Sequence, residues 1–300
     1  RAHRAPPHHR ACSCENLGGF VANVVAAKVL SGSGWRAVFF VSGPIVAIWA
    51  PLMLMVLPAD PKPRQLTPPP LSPYRQPTSR VSKEAQGDGP PPSALSIPGV
   101  GATSTCYTLT KCSRYCLMFW LPFFLSEEAK LSPSTASLVA SLLDLAGAFG
   151  AIATGVATDT FYGGATLRAA MHLCCATGIS FCFWAAACAT GASTWMHITA
   201  IISVGFFIAG PGGVLGASAR NLVGFAGRAK EVALVAAVAG LVNGSGSIGA
   251  VVQGLLAPKL VELLGWSGLY ALLGVAMIGA SLALLPAVAI EAEAISKKTR

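Results

Sequence analysis

The chain has 300 residues, 53% of them hydrophobic and 11% charged, with a formal net charge of +9. Soluble domains carry about 25% charged residues, so a mean hydropathy of +0.61 excludes an ordinary soluble fold and places the chain among membrane proteins. The positive balance does not indicate nucleic acid: the basic residues lie between apolar runs, where they set topology, and form no single stripe.

A helix needs about 20 apolar residues to cross the hydrocarbon of a bilayer. Eight runs qualify, at 11–30, 37–57, 104–125, 134–157, 168–190, 195–218, 232–257 and 266–290. None alternates with period two, which argues against a β-barrel. The expected fold class is therefore an all-α membrane protein, with the lipid bilayer as its partner. Residues 1–57 hold two spans, 58–103 a linker, 104–290 six spans and 291–300 a tail. The linker holds 12 of the 21 prolines, among them Pro68, Pro69 and Pro70, and its composition predicts an extended, disordered segment. Loops between the last six spans are short, so neighbouring helices must run antiparallel. The chain starts at Arg1 without a basic–apolar–small secretory signal, and we expect an N-terminally incomplete chain.

Eight spans put both termini on one side, together with the linker and the loops near 158–168 and 219–231. That side carries 15 Lys and Arg against three on the other, Arg36, Lys130 and Lys259. Cytoplasmic loops are enriched in Lys and Arg, so both termini and the linker are expected in the cytosol.

Three charges fall deep inside spans. At a rise of about 1.5 Å per residue, Arg114 and Asp144 each sit about 15 Å into their helices, near the middle of a core about 30 Å thick. Lys111 lies three residues before Arg114, on a neighbouring face. A charge at that depth costs at least about 2.5–3.5 kcal/mol, so such groups face a partner or a water-filled cavity. One reading is a buried ion pair of Asp144 with a cation, serving packing alone. It leaves the second cation unbalanced, and the surplus positive charge favours a small anionic ligand. A guanidinium can grip phosphate or carboxylate through two parallel hydrogen bonds, and a lysine adds a point charge.

Other patterns carry less. Gly244-Ser-Gly246-Ser-Ile-Gly249 satisfies the dinucleotide pattern G-x-G-x-x-G, but it lies within an apolar span with no preceding strand. It reads as a glycine-lined helix face that permits close approach, and Gly240 with Gly244 adds a G-x-x-x-G. Gly210-Pro211-Gly212-Gly213 marks an expected kink. Seven of the nine cysteines lie in apolar runs as small hydrophobes. His8, His9, Cys12 and Cys14 match no zinc spacing, and His172 and His197 read as helix-end residues. There is no H-E-x-x-H or G-x-S-x-G hydrolase motif. No enzyme, cofactor, metal or nucleic-acid partner is expected.

The layout of two spans, a linker and six spans resembles spans five to twelve of a major facilitator superfamily transporter. Gly155-Val-Ala-Thr-Asp159 is similar to the superfamily's G-x-x-x-D loop motif, which implies a gating role for Gly155 and Asp159. Thr160-Phe161-Tyr162-Gly163-Gly164 stands where a basic run usually follows. Finer motifs resemble the organophosphate:phosphate antiporters, the glycerol-3-phosphate permeases and sugar-phosphate exchangers. These are Asn16-Leu-Gly-Gly19 with Trp35, Lys111-Cys-Ser-Arg114-Tyr115 before Trp120-Leu-Pro122, Leu143-Asp144-Leu-Ala-Gly147, Gly210-Pro211, and Asn243-Gly-Ser-Gly246-Ser-Ile-Gly249 before Gly265-Trp266. Glu15 stands where bacterial permeases carry histidine, and Asn243 replaces an acidic residue.

The resemblance implies exchange of glycerol 3-phosphate or a sugar phosphate for inorganic phosphate. Lys111 and Arg114 would bind the phosphoryl group and Tyr115 would add a hydroxyl donor. Asp144 would pair with the cations in the empty site and be displaced by substrate. Two alternatives stay open: proton-coupled uptake of another solute with Asp144 as carrier, and a non-transporting membrane sensor or truncated relative.

Overall fold

In lipid no water satisfies a free backbone group, so an apolar run of this length closes its own hydrogen bonds as a helix. A computed structural model describes residues 9–56, 93–228 and 231–299, and among these it contains no strand. The helices are α1 (His9–Val56), α2 (Val100–Glu127), α3 (Pro133–Thr160), α4 (Thr166–Ala189), α5 (Thr194–Gly216), α6 (Ala219–Phe225), α7 (Val232–Ala283) and α8 (Leu285–Thr299). Each of the eight apolar runs falls on a helical segment. Most of the linker, residues 58–92, lies outside the described residues, as do His8, Lys230 and Arg300 and the side chains of His9 and Cys12.

Two of the long helices are in fact pairs. α1 breaks at Gly34 (φ 77°, ψ 174°) and α7 at Gly265 (φ 69°, ψ 179°). A side chain resists that positive φ and glycine does not. Both glycines precede a tryptophan, Trp35 and Trp266, so the same turn recurs with nearly the same backbone geometry. α3, α4, α5 and the broken α1 and α7 are all long and apolar enough to cross a membrane. α2, 28 residues long, falls short on hydropathy because Lys111 and Arg114 lie within it.

The chain divides into two compact units, one of Arg1–Val24 with Pro92–Arg300 and the other Val25–Pro91. Of the second, the described part is the remainder of α1, with Phe39, Phe40, Ile45 and Trp49 exposed, as an apolar solvent allows. In the first unit α2 and α4 both pack on α7, α3 packs on α5, and α5 on α4. The α3 start is set locally: Ser132 Oγ accepts the Thr135 N–H at 3.3 Å, and Pro133 occupies the first helical position.

Between lipid-soluble helices, association rests on tight packing and on interhelical hydrogen bonds. Glycines supply the first. A Cβ on Gly150 would sit 1.9 Å from the Phe206 carbonyl oxygen, and one on Gly249 would sit 2.2 Å from that of Thr108. A Cβ on Gly246 would sit 2.6 Å from the Tyr107 ring. A Cβ on Gly240 or Gly244 would meet nothing within 4 Å, so α7 approaches α2 closely at Gly246 and Gly249, not at the expected G-x-x-x-G. α5 continues through Pro211, and Gly210 lets it close on Thr154 of α3.

An aromatic cluster ties one end of the bundle. The Phe124 ring meets Trp184, Tyr270, Trp266 and His197 with centroids 5.2–5.6 Å away, and Trp184 stacks on Tyr270 at 4.1 Å. His197 is thus a core residue of that cluster. At the other end α8 continues past residue 290 and buries Glu291. The Glu291 carboxylate accepts the backbone N–H groups of Leu167 and Arg168 at 3.0 Å and the Thr166 hydroxyl at 3.2 Å. It caps the N-terminus of α4, where unpaired amides and the helix dipole favour an anion. Glu291→Ala is expected to cost about 2–3 kcal/mol through lost charge-assisted bonds, seen as a lower thermal midpoint of the purified protein. An unchanged midpoint would mean that water takes over the cap.

Candidate functional site

Four residues of α2 build one wall of a cavity. Tyr107, Thr110, Lys111 and Arg114 follow the spacing i, i+3, i+4, i+7, which places them on one helix stripe. The cavity encloses about 310 Å³ and is also lined by Glu15 and Asn16 of α1 and by Gly212, Gly213 and Gly216 of α5. The glycines keep the opposite wall low: a Cβ on Gly212 would meet nothing within 4 Å.

The two cations are held differently. Lys111 Nζ lies 5.5 Å from the Tyr107 ring centre and 5.3 Å from that of Tyr115. Two ring faces stabilise an ammonium without consuming its charge. Among the described residues Lys111 forms no ion pair. Arg114, whose side chain is 19% exposed, donates from Nη2 to Asn16 Oδ1 at 2.8 Å and lies 3.6 Å from Glu15 Oε1. The wall therefore presents two positive charges and one carboxylate, and the Asp144 carboxylate also lies within electrostatic reach of Arg114.

The carboxylate on the wall is not the expected one. Asp144 makes no ion pair with Lys111 or Arg114 among the described residues and does not line the cavity. It turns toward α1, where its Oδ2 accepts from Asn23 Nδ2 at 3.3 Å. Gly19 makes this possible, since a Cβ there would come 2.8 Å from the same oxygen. Glu15 lies one turn before Gly19 on the same face of α1 and reaches Arg114 instead. Tyr115 flanks Lys111 with its ring but lies outside the cavity lining, and the tyrosine that lines it is Tyr107, one turn before Lys111. Helix spacing from Lys111 was the available signal for Tyr107. For Asn16 the signal was its place in the Asn16-Leu-Gly-Gly19 motif, and for Glu15 its place where bacterial permeases carry histidine.

The model of the Major Facilitator Superfamily matches residues 13–230, well over half of the chain. The chain belongs to the major facilitator superfamily. Within it, the chain is similar to the membrane sensor protein UhpC of Salmonella typhimurium, 28% identical over 280 residues, covering 91% of this chain and 61% of that protein. It is similar to the glucose-6-phosphate exchanger SLC37A2 of Xenopus tropicalis, 30% identical over 199 residues, covering 64% of this chain and 38% of the exchanger. The putative glycerol-3-phosphate transporter 4 of Arabidopsis thaliana is 29% identical over 200 residues, covering 64% of this chain and 35% of the transporter. These relatives fit the organophosphate:phosphate antiporter family that the motifs resemble. The chain spans 61% or less of the length of each of these relatives.

As a major facilitator protein the chain is a multi-pass membrane protein, and its loop motif can be placed. Asp159 is exposed in the last turn of α3 and Gly155 is half-buried one turn earlier. A carboxylate there opposes the negative end of the helix dipole, an unfavourable position by about 0.3–1 kcal/mol. No hydrogen bond or ion pair to Asp159 is present among the described residues, so the structure does not bring this pair together with the cavity residues.

Proposed function

We propose that this chain forms the binding site of a carrier that exchanges glycerol 3-phosphate or a sugar phosphate for inorganic phosphate. The observation that carries the reading is an ammonium without a carboxylate partner, one turn from a guanidinium, on the wall of a solvent-sized cavity. A volume of about 310 Å³ stands at the small end of ligand sites, which run about 300–1,000 Å³, and suits a compact ester. The names of the exchanger and transporter relatives support the same class of solute. Lys111 and Arg114 bind the phosphoryl oxygens, Tyr107 and Thr110 offer hydroxyls, and the low glycine wall leaves room for the organic part. The solute leaves chemically unchanged, so the protein acts as no enzyme. Both termini and the linker lie in the cytosol, and Gly155 with Asp159 takes part in gating as the two halves rock around the site.

The test is uptake of labelled glycerol 3-phosphate and glucose 6-phosphate into proteoliposomes. Uptake is expected only when inorganic phosphate is loaded inside. Uptake that ignores internal phosphate and follows a pH gradient would overturn exchange in favour of proton coupling. The similarity to membrane sensor proteins over 91% of the chain supports a second reading, in which the cavity binds its ligand without carrying it. Saturable phosphate binding with no exchange would select that reading.

A further inference from the structure

We infer that Glu15 is a tethered competitor for the phosphate position at Arg114. The inference rests on the proposed reading of the cavity as a phosphate site. Arg114 has two partners on α1, and they are unequal. Asn16 makes a direct hydrogen bond of 2.8 Å and is itself buried, so it fixes the guanidinium in the wall. Glu15 stands 3.6 Å away, beyond the 2.7–2.9 Å of a charge-assisted hydrogen bond, and its side chain is 69% exposed. The helix holds this carboxylate at its base while its tip lies on the open side of the cavity. It can swing into water without disturbing the packing of α1.

Charge decides what displaces it. Lys111 and Arg114 carry two positive charges and Glu15 offsets one of them. A phosphate monoester brings nearly two negative charges and three acceptor oxygens, enough to engage both cations at once. Glu15 engages one, loosely. An arriving phosphate therefore takes Arg114 and frees the carboxylate, and a departing phosphate is replaced by it. The consequence is weaker binding and faster release than the cations alone would give. Asp144 accepts from Asn23 and makes no ion pair with Arg114 among the described residues, so Glu15 is the carboxylate placed to compete.

The experiment measures binding of labelled inorganic phosphate to the purified protein in lipid nanodiscs, for wild type, Glu15→Gln and Asp144→Asn. Glu15→Gln keeps the shape and removes the charge. It is expected to bind phosphate about fivefold more tightly, the scale of a solvent-exposed ion pair. In proteoliposomes the same variant should show a lower KM for phosphate with a lower maximal exchange rate, because release slows. Asp144→Asn should give a smaller gain, since it changes the local field without freeing Arg114. Phosphate binding that Glu15→Gln leaves unchanged or weakens would overturn the role of Glu15 alone, as would an equal gain in Asp144→Asn. A wild-type protein that binds no phosphate would instead overturn the functional reading of the cavity.

Discussion

Arg114→Ala is expected to lower phosphate exchange about a hundredfold or more while leaving the protein folded. Hydrogen bonds to a charged group are each worth about 1.5–3 kcal/mol, and a guanidinium supplies two in parallel to one phosphate. The substitution also removes the positive surplus of the cavity wall. With Arg114 present, two cations face the Glu15 carboxylate. Without it, Lys111 alone faces that carboxylate, and no surplus charge remains for an incoming anion. Lys111→Ala is expected to act in the same direction for the same reason, and more mildly because it removes one point charge and no fork. Arg114→Lys should fail to restore exchange, since an ammonium lacks the planar pair of donors. Labelled-phosphate counterflow in proteoliposomes reads the effect, and size-exclusion profiles check folding. Exchange at wild-type rates in both alanine variants would remove Lys111 and Arg114 from the site.

What the sequence made legible follows from which forces leave a mark on it. The fold class was readable because lipid demands long apolar runs and internally paired backbones. The two cations that line the cavity stood out because a charge inside an apolar run is costly to insert. Their counter-ion did not. Counting residues from a helix start gives depth but not the direction a side chain faces, and Asp144 shares the depth of Arg114 while facing α1. Glu15 was noted only where bacterial permeases carry histidine, and its contact with Arg114 depends on α1 lying against α2, which no local pattern encodes. Glu291 was assigned to a tail because its partners are backbone N–H groups, which every residue but proline possesses. Tyr107 was within reach of spacing alone, being one turn from Lys111, and its place in the wall depends on α5 offering glycines opposite.

The glycines of α7 give the second large effect, and they separate pattern from packing. Gly244, Gly246 and Gly249 belong to one sequence motif, yet only the latter two touch a neighbour. A methyl group at Gly249 would overlap the Thr108 carbonyl oxygen at 2.2 Å, and backbone cannot rotate away as a side chain can. α7 must then move off α2, the helix that carries both cations. Overpacking costs about 1–3 kcal/mol in a core that can adjust, and more where backbone meets backbone. Gly249→Val is therefore expected to lose most of the folded protein, with Gly249→Ala showing a clear drop in thermal midpoint and in phosphate exchange. Gly244→Ala should leave both unchanged or raise the midpoint slightly, since open space surrounds the site and alanine favours a helix by about 0.5–1 kcal/mol over glycine. Detergent-extracted yield and thermal midpoints of the three variants read the difference. Equal behaviour of Gly244→Ala and Gly249→Ala would mean that α7 does not sit against α2 through Gly249, and the cavity wall built on α2 would lose its support.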